Sequence, residues 1–179
     1  RGIFEGQARF AQLQYLFYKT DVTFRLLGEH GYFDGIYGEA FKAFLDITNL
    51  EWPEKFNDTV CGIFMLVLDM AMNPTRGFPL QIHSFETFLL DVDPGIRFLT
   101  LSHAVRDRPE LLDLIHNYTR DEYDQAVDIL AKETGYDHPF VALAEIGRWL
   151  SESPDIAELM KEYDTFEYGP TNVPVRVIF

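Results

Sequence analysis

Thr59-Val60-Cys61-Gly62-Ile63-Phe64-Met65-Leu66-Val67-Leu68-Asp69-Met70-Ala71-Met72 contains a single charged side chain. A helix that is apolar nearly all round is covered on all sides, so this stretch predicts the central helix of a bundle. Asp58 is placed to accept from its first turn, and Asn73-Pro74 cannot continue it. A membrane span needs about 18 or more apolar residues, so this length suits a core helix instead. Asp69 is costly inside such a helix unless it is paired or hydrogen-bonded, and Arg9 or Arg25 are the cations predicted to meet it.

Toward the N-terminus, Phe4 to Lys19 has the helical rhythm Phe10, Leu13, Phe17. Asp21 is placed to cap a short second helix ending near Gly28. Gly31, Gly35 and Gly38 lead into a third helix from Ile36 to Thr48, and Asn49 to Asn57 reads as a loop around Trp52-Pro53. Toward the C-terminus a short helix is expected from Phe85 to Leu90. The pair Asp93-Pro94 opens another to Val105, and Pro109 a further one to His116. Thr119 and Glu122 form a capping box for a helix to Lys132, closed by Gly135. Pro139 and Ser153-Pro154 begin the last two, to Leu150 and about Tyr163. Tyr168 to Phe179, with alternating valines and two prolines, reads as a short extended tail. The expectation is one all-α domain spanning residues 1–179, an irregular bundle of about seven to nine helices.

Composition narrows the function classes. An apolar content of 47%, with 16 Phe and 9 Tyr, excludes disorder and implies ring-filled gaps between helices. A net charge of -14, with no basic stripe, argues against nucleic acid and anionic membrane surfaces as partners. The single cysteine, Cys61, allows no internal disulfide and suits a reducing, cytoplasmic interior. It reads as a buried structural thiol, since a nucleophile needs a base and a cleft. No signal peptide opens the chain, and a start at Arg1 inside a helical pattern suggests the C-terminal portion of a longer protein.

The first turns of the chain read Ile3-Phe4-Glu5-Gly6-Gln7-Ala8-Arg9-Phe10. Glu5 faces the positive end of a helix, and Gly6 is expected to leave open space beside the carboxylate. The string E-G-x-A-x-[FY] resembles the helix that carries the third zinc ligand in gluzincin-type metallopeptidases. That resemblance implies a zinc-dependent hydrolase with Glu5 as metal ligand. The chain contains no H-E-x-x-H, so an upstream segment or a partner chain would supply the histidines and the general base. Asp69 and Arg9 would then form a polar network beneath Glu5, with Asp69 orienting a histidine from behind.

Two other readings stand beside it. An acidic, aromatic-rich helical domain can be a non-catalytic module that docks another protein or a peptide. Histidine and carboxylate also pair at helical spacing in His83 with Glu86, His103 with Asp107, and Asp113 with His116. Such pairs are the ligand pattern of di-iron carboxylate bundles, oxidases or oxygenases, and apolar neighbours suggest burial for Asp113 and His116.

Overall fold

The computed structural model describes residues 1–20, 22–75, 85–155 and 158. Among them the chain forms α1 (Gly2–Lys19), α2 (Phe24–Glu29), α3 (Ile36–Thr48), α4 (Thr59–Met72), α5 (Phe85–Val92), α6 (Pro94–Asp107), α7 (Arg120–Thr134) and α8 (Pro139–Glu152). A 3-10 turn at Pro109–Asp113 completes the set, with no strand among the described residues, so the all-α expectation holds. The expected tail from Tyr168 and most of the expected helix after Ser153 lie outside the described residues, as does Asp21. Among the described residues no helix is long and apolar enough to cross a membrane. The chain divides into two compact units, residues 1–138 and residues 139–179, the second containing α8.

Within the first unit α4 is the centre. Asp58 caps it by accepting from the Val60 amide at 3.0 Å, and nine of its 14 residues are buried. It packs against α1, α6 and the 3-10 turn, while α1 also lies along α3. Their meeting point is a cluster of rings. Phe10 of α1 is fully buried, with Phe41 at 4.9 Å and Phe64 at 4.8 Å between centroids, and Phe24, Phe33 and Phe56 close by. Tilted and edge-on contacts of this kind add to the burial of each ring. The clustering explains why so many phenylalanines are compatible with a chain of this size.

Among the described residues Arg97 on α6 is the largest fully buried side chain. Its guanidinium donates to the carbonyls of Met70, Ala71, Asn73 and Asp91, and its carbon lies 4.1 Å from the centre of the Tyr136 ring. The first three are the carbonyls that the C-terminal end of α4 leaves without partners. A cation there also meets the negative end of the helix dipole, which lets a buried charge stand without a carboxylate.

Two expected elements differ. The second helix starts later, at Phe24, because the Thr23 side chain caps it by accepting from the Leu26 amide at 3.2 Å. The helix expected from Pro109 to His116 is only a 3-10 turn that stops at Asp113. Leu111 and Ile115 remain fully buried across that stop, so core packing, not helical continuity, places them.

Candidate functional site

Glu5 sits in the first turn of α1, its side chain about one-third exposed, with Arg1 Nε at 3.9 Å. The space expected beside it is absent. Gly6 is buried, and a Cβ there would lie 3.4 Å from the Ala40 Cβ of α3. Helix α3 takes the space beside Gly6, leaving room for a methyl group in ordinary contact and none for a ligand. Arg9 turns its guanidinium over the ring of Tyr37 at 4.2 Å, with Tyr32 at 5.6 Å, and its buried Nε makes no hydrogen bond. It does not reach Asp69.

Asp69 is exposed, contrary to the expectation of burial against Arg9 or Arg25. Residues 65, 69 and 72 form a narrow strip of α4 that the core does not cover. The Asp69 carboxylate accepts from Asn73 Nδ2 at 2.9 Å, while partial burial raises its pKa against that bond. Arg25 instead pairs with Glu29 at 2.8 Å. A polar network linking Asp69 to Glu5 is therefore not formed.

The histidine–carboxylate pairs fare similarly. Asp113 ends the 3-10 turn and His116 lies beyond it, both exposed, so they share no helix face. His103 and Asp107 are exposed on α6, where Asp107 pairs with Arg106 at 2.9 Å. His83 lies outside the described residues, and Glu86 lies on α5. Among the described residues no three His, Cys, Asp or Glu side chains gather where a metal ion could be held. Among the described residues Glu5 is therefore one carboxylate alone, with no second ligand gathered beside it.

The geometry gathers a different set of residues. A cleft of about 320 Å³ lies between α1, α4 and α7, in the first unit. One side is Phe17 of α1 and Phe56 of the loop before α4, with ring centroids 5.9 Å apart. The other is Tyr118 and Tyr123, 6.5 Å apart and tilted by 50°. Met65 of the uncovered strip, Gly62, Cys61, Gln14 and Asn57 complete the lining.

Tyr118 is the unusual residue. It adopts φ of 57°, the left-handed region, which costs a residue with a Cβ about 1–2 kcal/mol. Surrounding bonds hold it there. Its hydroxyl donates to the backbone carbonyl of Asn57. On either side of it, Glu122 accepts from the Asn117 amide at 3.0 Å and the Thr119 amide at 3.0 Å, completing the expected capping box of α7. Those amides hold the Glu122 carboxyl below its ordinary pKa. Gly62 makes room for the pair of tyrosines, because a Cβ there would lie 3.1 Å from the Tyr118 ring and 3.2 Å from the Tyr123 hydroxyl.

Cys61, which the sequence reading takes as structural, is buried, and its thiol lies 3.9 Å from the Lys55 carbonyl. Burial, helped by the nearby Asp58, pushes the thiol pKa well up, which keeps it protonated and unreactive. Sequence reasoning passed over this cleft. The available signal was Gly62, because a glycine in the interior of an apolar helix costs about 1 kcal/mol and marks a close approach. No family model, curated protein or solved structure matches the chain.

Proposed function

We propose that this chain is a non-catalytic helical binding module that docks a protein partner through the cleft between α1, α4 and α7. The observation that carries the reading is Tyr118, held in a strained conformation at the cleft wall by bonds to Asn57 and by a turn that Glu122 fixes. Strain kept against a cost of this size clusters where a surface must be pre-arranged for a ligand. A net charge of -14 favours a basic partner, by faster encounter and by exclusion of acidic competitors. The single cysteine suits a reducing compartment such as the cytoplasm. Peptide arrays graded from basic to acidic, probed with wild type and with Met65→Trp, test the reading. Met65 is half-buried and lines the cleft, so a larger ring at this position takes up cleft space. Basic peptides bound by wild type and lost in the folded variant are expected. Equal binding by both proteins would show that the cleft is not the docking site.

A second reading keeps the metallopeptidase resemblance. Its support is that the Glu5 carboxylate is partly open to solvent on a firmly packed helix and is only loosely met by Arg1. In it Glu5 contributes one ligand to a zinc site whose two histidines come from an upstream segment or a partner chain. Zinc stoichiometry in a protein that includes those histidines, compared with its Glu5→Gln variant, decides it. A loss of about tenfold or more in zinc affinity is expected, and equal metal content would leave Glu5 as a helix-start acid.

A further inference from the structure

We infer that Arg9, held against Tyr32 and Tyr37, is a binding point for a carboxylate group. The inference is independent of the cleft and of the module reading. Arg9 stands on α1 one turn after Glu5, with its guanidinium carbon 4.2 Å from the centre of the Tyr37 ring and 5.6 Å from that of Tyr32. Tyr37 belongs to the first turn of α3 and Tyr32 to the turn that follows α2, so three segments meet at one cation. The two tyrosines keep 38% and 37% of their surfaces open, so the rings border solvent.

Rings hold a guanidinium without satisfying it. Their faces attract the cation, but they accept an N–H only weakly. The Arg9 Nε–H is buried and makes no hydrogen bond. The cost of that unmade bond is of the same order as the gain from two ring contacts, so fold stability alone gives little reason to keep an arginine there. Arg97 supplies the contrast. It too faces a ring, that of Tyr136, but it donates to four backbone carbonyls. The acids on the segments around Arg9 are turned elsewhere. Glu5 is met by Arg1 at 3.9 Å, Glu29 pairs with Arg25 at 2.8 Å, and the Glu39 carboxylate lies beside Gly2.

The positive charge sets the sign of the ligand, and the buried Nε sets the nitrogens that remain for it. These are the two at the end of the guanidinium fork, whose spacing matches the two oxygens of a carboxylate. Charge number separates carboxylate from phosphate. The chain carries -14, and Glu5, Asp34 and Glu39 lie on the same segments, so a doubly charged phosphate is repelled more than a singly charged carboxylate.

Burial shields the Arg9 Nε–H from exchange and gives it a readable signal. The full chain, labelled with nitrogen-15 and with carbon-13 in its tyrosine rings, is titrated at neutral pH and constant ionic strength. The ligands are N-acetylglycine, N-acetylglutamate α-amide, the uncharged N-acetylglycinamide and inorganic phosphate. A saturable shift at Arg9 and Tyr37 with at least one of the two carboxylates is expected, and which of them binds tells a chain end from an acidic side chain. Arg9→Lys keeps the charge without the fork and should bind about fivefold more weakly, read at the Tyr37 ring. Arg9→Met should abolish the Tyr37 shift while its melting temperature stays within about 3 °C of wild type. Equal binding of the uncharged amide would overturn the charge, tighter binding of phosphate the carboxylate, and equal binding by Arg9→Lys the fork. No shift with either carboxylate would overturn the inference outright. A fall of about 10 °C or more in Arg9→Met would assign the arginine to the packing of α1 and overturn it as well.

Discussion

Arg97 sets its four carbonyl acceptors against a full loss of water, and the outcome depends on every bond being made. Burial lowers its pKa, with Tyr136 and Asp91 acting the other way. Arg97→Met keeps the volume but strands the last carbonyls of α4, and should cost about 3 kcal/mol or more by chemical denaturation. A cost under about 1 kcal/mol would mean that water reaches those carbonyls. Asp69 behaves in the opposite way. Its raised pKa means that the folded state disfavours its charge, so Asp69→Asn should change stability at neutral pH by no more than about 0.5 kcal/mol. A buried, paired Asp69 would give a loss several times larger. Glu122 adds a pH signature. Its folded pKa lies below the ordinary 4.5, so its contribution is present above that value and is lost as pH falls through the lowered one. The melting-temperature gap between wild type and Glu122→Gln should be constant near neutrality and close in acid. A gap that persists unchanged in acid would remove the carboxylate from the account.

Helix approach separates two glycines that look alike in the sequence. Gly38, buried on α3, would place a Cβ only 1.9 Å from the Phe33 carbonyl oxygen, a backbone atom that cannot step aside. Gly38→Ala should destabilise by about 2 kcal/mol or more, since the turn after α2 must move. Gly6 on α1 faces the Ala40 Cβ at 3.4 Å and the Tyr37 carbonyl oxygen at 4.0 Å, both ordinary contact. Gly6→Ala gains up to about 1 kcal/mol in helix propensity and should be neutral or mildly stabilising. Thermal melts of the two variants test the pair. A Gly6→Ala that collapses the fold would show that α1 and α3 pack more tightly than these distances allow. The same contrast shows why the open space expected beside Glu5 is absent, since sequence spacing cannot tell a glycine that admits a ligand from one that admits a helix.

For the whole molecule, capping residues and apolar periodicity made most of the architecture legible. Asp58, Asp93 and Thr119 each cap the helix they were expected to begin, and α4 is the buried centre its composition implied. Orientation was not legible. Nothing in the run from Thr59 to Met72 says that positions 65, 69 and 72 form the uncovered strip, because that depends on which neighbours arrive from distant sequence. Arg97 was equally hidden, although it shares a helix face with Leu101 and Ala104, all buried at core spacing. The cleft needed four separate segments to come together, and only Gly62 and the capping box after Tyr118 hinted at it. The central claim is that Tyr118 keeps a strained conformation for binding, and stability and affinity measured together on Tyr118→Gly test it most directly. Release of the left-handed strain, about 1–2 kcal/mol, offsets the lost hydroxyl bond and ring contact. Unfolding free energy within about 1 kcal/mol of wild type is therefore predicted, together with an affinity for array-selected basic peptides reduced about tenfold or more. A variant that is equally stable and binds as tightly as wild type would contradict the account.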